Sequence, residues 1–283
     1  AGIDPRQFRL FLRLLRTLSE RQEFMGNLGV DRFAIAFLAL IYLVFIGLPM
    51  GLMFLARFAT PVYLLANLSV TMILVLLLIV SEAANTLFNP TEASVLAHQP
   101  VHAFTYVAAK ITHLLLIVLY LVPALAGPAA LCGIFLKDAR WFYPVTHFAA
   151  ALLAGLFTAF LVCAFCGWLF RIFPAGRLKN VSLWLQLLAF AAMPGIGGII
   201  GGLIGSLRHA QFDINRWGWF PLSWFVGVGL LGTRVGVRQL GWLGPLSMVL
   251  TAVVIWLGLR GFLKGYLQQM PALLREHTGH ASK

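Results

Sequence analysis

The sequence predicts an all-α integral membrane protein with six transmembrane helices, and three observations predict it. Apolar residues make up 60% of the 283-residue chain and charged residues 11%, with a mean hydropathy of +0.90. A soluble domain carries roughly 25% charged and about 45–50% apolar residues, so this much apolar surface has to face lipid. The apolar residues also fall in runs of about 20 or more, the length needed to cross the hydrocarbon core. Finally, the Lys and Arg residues are spread unevenly over the connections between those runs.

Residues Pro5 to Phe24 precede the first run. Arg6, Arg9, Arg13 and Arg16 recur at spacings of three and four, on one side of a helix, while Phe8, Phe11, Leu12, Leu15 and Leu18 fall on the other. That pattern predicts an amphipathic helix lying in the membrane interface with its arginines toward lipid phosphates, so residues 1–30 are assigned to this helix and a linker. The first 30 residues lack the charged, apolar and small-residue order of a cleavable signal.

The transmembrane domain covers residues 31–266. Its first span is expected at Phe33–Phe58, and its second at Val62–Ser81 after a turn with Arg57, Thr60 and Pro61. The connection from Glu82 to Gln99 is less apolar. Within it Pro90, Thr91 and Glu92 suit a helix start, because proline is tolerated in a first turn and a carboxylate complements the helix dipole there; a short helix is expected at about 88–99. The third span, Val101–Phe135, is expected to be broken at Pro123 and Pro128. A loop, Lys137-Asp138-Ala139-Arg140, leads to a fourth span at Thr146–Phe170.

A basic turn with Arg171, Arg177 and Lys179 precedes the fifth span, Leu183–Leu207, whose second half is dense in glycine. Gly197, Gly201 and Gly205 recur every four residues, a spacing that lets helices approach closely in one chain or at a subunit interface. Residues 217–231 are apolar but short, contain Pro221, and carry Trp217, Trp219 and Trp224. They are expected to form a re-entrant or interfacial segment. The last span is expected at Leu243–Phe262, followed by a polar tail, 267–283.

With six spans both termini lie on one side. Fourteen of the 21 Lys and Arg residues then fall on the side of the termini and seven on the other, which puts both termini in the cytoplasm. A seventh span at 217–231 would move the tail across and bring Arg234 and Arg238 back, leaving twelve against nine and a weaker bias. The net charge of +12 thus reads as topogenic charge and attraction to anionic membrane lipids, with no nucleic acid as partner.

Chemistry-bearing motifs are sparse. There is no G-x-x-x-x-G-K-[ST] loop, no H-E-x-x-H and no G-x-S-x-G. His98 and His102 are four apart but Pro100 separates them, so no metal site is expected. Cys132, Cys163 and Cys166 lie in apolar runs and read as packing residues. Glu82, at the end of the second span, is expected to be a solvated interfacial carboxylate, or else a polar contact inside the bundle. No catalytic residues, cofactor or metal are assigned to the chain.

The ordered features resemble the permease subunit of type-2 ABC exporters, whose elbow helix leads into six spans. The stretch Asn89-Pro90-Thr91-Glu92-Ala93-Ser94-Val95-Leu96-Ala97-His98-Gln99-Pro100-Val101, followed by Ala109-Lys110, looks like the corresponding region of bacterial ABC exporter permeases, and Phe8-Arg9-Leu10-Phe11-Leu12-Arg13 looks like their elbow. The resemblance implies a coupling helix carrying Pro90, Thr91, Glu92, Leu96 and His98 that docks on a separate ATPase subunit. It also implies a second permease half, as a homodimer or heterodimer, with ATP and Mg bound by the partner ATPase.

The function so implied is that of a non-catalytic permease subunit in a bacterial inner membrane, exporting a lipidic, amphiphilic or other substrate. Two alternatives remain. One is a non-transporting scaffold subunit of a larger membrane complex. The other is an enzyme acting on lipid, which would need a convergent cluster around Glu82 and His113 that the spacing does not supply.

Overall fold

The computed structural model describes residues 4–22, 60–87, 103–173, 221–234 and 242–280, with isolated positions at 44, 184 and 187. Those positions apart, the expected first span, the connection at 88–99 and the fifth span with Gly197, Gly201 and Gly205 lie outside the described residues. The described residues are almost entirely helical and contain no strand. Four of their helices are long and apolar enough to cross a membrane.

The helices are α1 (Pro5–Gln22), α2 (Thr60–Leu87), α3 (Ala103–Cys132), α4 (Tyr143–Ile172), α5 (Pro221–Leu230) and α6 (Leu243–His280), with a 3-10 turn at Gly133–Phe135 after α3. At 1.5 Å per residue, α2, α3 and α4 are each roughly 42–45 Å long and exceed the roughly 30 Å hydrocarbon core. The ten residues of α5 reach about 15 Å, half of that core. α6 continues helically to His280, so most of the expected polar tail extends the last helix.

α2 and α3 run antiparallel, since Tyr63 near the start of α2 donates its hydroxyl hydrogen bond to the carbonyl of Ala129 near the end of α3, at 2.6 Å. α4 returns antiparallel to α3, with Gly155 against Val118 and Val122. α6 runs parallel to α4, Gly258 meeting Phe160 and Gly261 meeting Ala164. α4 is the central element and packs on α2, α3, α5 and α6.

Contrary to the expected break, α3 is one continuous helix through Pro123 and Pro128. Each proline removes one N–H donor, a loss that membrane helices tolerate where neighbouring groups satisfy the freed carbonyls. At the C-terminal end, where the last four carbonyls have no helical donor, the hydroxyl of Tyr63 satisfies that of Ala129.

Other glycines than Gly197, Gly201 and Gly205, which lie outside the described residues, bring the described helices together. A Cβ on Gly258 would sit 2.6 Å from the carbonyl oxygen of Phe160, and one on Gly167 would strike the backbone of Gly261. α4 and α6 therefore touch backbone to backbone, as small residues permit in membrane bundles. The opposite face of α6 exposes Met248, Val249, Val253, Trp256 and Leu257, an apolar stripe suited to hydrocarbon.

At the end of the bundle away from α1, the loop after α3 pairs with the residues after α5. Arg140 N–H donates to the Gly232 carbonyl and Arg234 N–H to the Asp138 carbonyl, each at 2.9 Å, around a bridge of Ala139 with Thr233. Phe135, Trp141 and Trp242 stand exposed near this end, where aromatic rings suit a membrane–water boundary.

Candidate functional site: an ionisable cluster beside α1

Asp4 directly precedes α1, and its carboxylate accepts the Arg6 N–H at 2.9 Å and so satisfies a first-turn donor. The Asp4 N–H reaches the Thr105 hydroxyl on α3 at 3.3 Å. The next residue of α3, Tyr106, meets Phe11 of α1 edge to face, with ring centroids 5.6 Å apart. Phe11 is buried, whereas Arg6, Arg9 and Arg13 are exposed. Helix α1 is thus amphipathic with Arg6, Arg9 and Arg13 outward, and Arg16 belongs to the same helix. Leu10 and Leu14, between the arginines and the buried face, are exposed too.

Behind this contact lies a cluster of ionisable groups. Lys110 is fully buried, with its Nζ 4.6 Å from the centre of the Tyr106 ring, a cation–π distance. One turn further, His113 is 2% exposed, and its Nε2 lies 3.3 Å from Oε1 of Glu82 on α2, itself 8% exposed. Glu82 is therefore not the solvated interfacial carboxylate expected from its position at the end of a span; it is held inside the bundle, and its partner is a histidine on the next helix.

This also corrects two other sequence expectations. Glu82 and His113 do converge, although 31 residues separate them in the chain. Lys110, counted among the topogenic charges, is enclosed by protein. One signal was present: two ionisable residues, Lys110 and His113, stand one turn apart in an otherwise apolar run, and such residues usually face a partner. What the sequence could not supply was the relative register of α2 and α3.

The cluster joins three elements. Glu82 with His113 ties α2 to α3, and Tyr106 with Phe11 ties α3 to α1. The carboxylate and imidazole form a polar tie in an apolar setting. α2 ends at Leu87 and α3 begins at Ala103 at this same end, so the connection carrying Pro90, Thr91, Glu92, Leu96 and His98 is anchored on both sides next to α1. Those five residues lie outside the described residues.

A second polar group occupies the other end of the bundle. Tyr63, Asn67, Tyr143 and His147 are all buried. The Tyr143 hydroxyl lies 3.1 Å from Nδ1 of His147, and the Tyr63 and His147 rings are 6.2 Å apart. Along α2, Asn67, Ser69 and Thr71 each return a hydrogen bond to the carbonyl four residues earlier, the usual way a polar side chain is accommodated in an apolar helix. The long apolar runs around these residues gave no sequence signal that would bring them together. Cys163 and Cys166 are buried free thiols of α4. Among the described residues no three His, Cys, Asp or Glu side chains are placed to share a metal ion.

Comparison of the chain with protein-family models, with curated proteins and with solved structures gives no match.

Proposed function

We propose that this protein is the transmembrane permease subunit of an ATP-driven ABC exporter, working with a separate ATPase subunit and a second permease half. One observation carries the reading most. An amphipathic helix with outward arginines is packed, through Phe11 on Tyr106 and Asp4 on Thr105, against the first turns of α3, beside the ends of the connection that contains Pro90 to His98. In the proposed protein this is the elbow helix seated beside the coupling helix.

The half-length α5, preceding the last long helix, supports the same reading as the re-entrant segment. The ties from Glu82 to His113 and from Tyr106 to Phe11 give a coupling helix two mechanical routes into the bundle. Motion at the connection would pull α2 and α3 together, with α1 following. Packed interfaces transmit such a displacement because they shift between discrete arrangements rather than deforming continuously.

The test is co-purification of the ATPase with wild-type protein and with the Glu92→Ala, Leu96→Ala double variant. The double variant is expected to retain several-fold less ATPase while remaining in the membrane at normal abundance. Equal retention and equal ATP turnover would count against the coupling-helix assignment. A stable complex with no ATPase in it would favour the scaffold alternative.

A further inference from the structure

The polar group at the end of the bundle away from α1 has two buried atoms without a partner among the described residues: Oδ1 of Asn67 and Nε2 of His147. Both residues are enclosed, His147 with no exposed surface and Asn67 with 1%. Their other polar atoms are committed. Asn67 Nδ2 donates to the Tyr63 carbonyl at 2.8 Å, and His147 Nδ1 lies 3.1 Å from the Tyr143 hydroxyl. Tyr63 links the two sites, being one helical turn from Asn67 on α2 and in ring contact with His147 on α4. In a membrane-embedded bundle no bulk water reaches such atoms, and leaving them unpaired is costly.

Hydrogen-bond capacity specifies what fits. Asn67 Oδ1 can only accept, so its partner must donate. If the Tyr143 hydroxyl donates to Nδ1, then Nε2 of His147 carries the proton and needs an acceptor; in the other tautomer it needs a donor. A carbonyl cannot donate to Asn67. An ammonium cannot accept from His147. A hydroxyl meets both demands in the first tautomer, and a water molecule does so in either. We propose that Asn67 and His147 together bind one hydroxyl oxygen, that of a water molecule or of an alcohol-bearing molecule passing through the bundle, between α2 and α4.

Magic-angle-spinning NMR on the full chain in lipid nanodiscs, with 15N-labelled histidine and the His147 signals assigned by their loss in His147→Phe, tests this. Magnetisation is expected to pass from water protons to the His147 ring in the wild type. The transfer should fall several-fold in Asn67→Leu, which keeps the volume and removes the acceptor, and persist in Asn67→Asp, which retains one. Added 1-octanol separates the two sources. Replacement of the water contact by an octanol contact assigns the site to alcohol hydroxyls, and an unchanged water contact assigns it to a resident water. No contact of either kind in the wild type, or the same contact in Asn67→Leu, would overturn the proposal. The wild-type result stands even if a variant fails to fold.

Discussion

Lys110, His113 and Glu82 are ionisable groups held in a bundle whose described buried side chains are mostly apolar or small and polar. Enclosing such groups is tolerated when each has a partner, and removing one partner leaves the other uncompensated. Glu82→Leu is therefore expected to lower the unfolding free energy by about 3 kcal/mol, read as a lower melting temperature in nanodiscs. Glu82→Gln, which can still accept from His113, should cost about half as much. Equal melting of Glu82→Leu and wild type would show that the pair is not a structural tie. Tyr63→Phe deletes the hydroxyl that satisfies the Ala129 carbonyl and should cost about 1 kcal/mol in the same assay. At this scale the sequence was least legible. It exposed the unusual residues in apolar runs but not their partners, because a pair 31 residues apart on two helices depends on how those helices are registered.

The helices themselves were largely legible, since an apolar run bounded by polar residues has few alternatives in a bilayer. α2, α4 and the start of α6 lie close to their expected bounds, and a helix, α1, lies where the arginine spacing put one. One exception has a physical reason. Proline reads as a breaker in water, yet Pro123 and Pro128 sit inside an unbroken α3. Glycine spacing drew attention to Gly197, Gly201 and Gly205, which lie outside the described residues, and it passed over the close crossing among the described helices, which uses Gly167, Gly258 and Gly261. Those three are split between two helices and show no regular repeat. Gly258→Leu is expected to destabilise the protein by at least about 2 kcal/mol, because its side chain would meet the Phe160 backbone. Gly127→Ala, where a Cβ meets nothing within 4 Å, should instead stabilise by up to about 1 kcal/mol. Thermal unfolding of the two variants side by side checks the crossing, and similar melting of both would refute it.

For the whole molecule, α1, the end of α2 and the start of α3 share one end of the bundle, while the Trp141 loop and the α5 terminus share the other. The lysine and arginine distribution leads to the expectation that the first end faces the cytoplasm. In a cysteine-free background, cysteines introduced at Arg6 and at Thr91 are expected to react with a membrane-impermeant maleimide only from the cytoplasmic side. One introduced at the exposed Trp141 should react from the opposite side. Labelling of positions 6 and 141 from the same side would dismantle this topology. The overall architecture as a polytopic helical membrane protein was plain from composition alone, since 60% apolar residues cannot be hidden in a bundle of this size. Its working role was not, because none of the motifs that would name a chemistry occurs in the sequence.

The most direct measurement is therefore to purify the full chain gently from its native membrane and identify what accompanies it. The permease reading predicts a stoichiometric ATPase subunit with a phosphate-binding G-x-x-x-x-G-K-[ST] loop, and ATP hydrolysis that depends on this chain being present. Consistent recovery of the chain without any such subunit would contradict it.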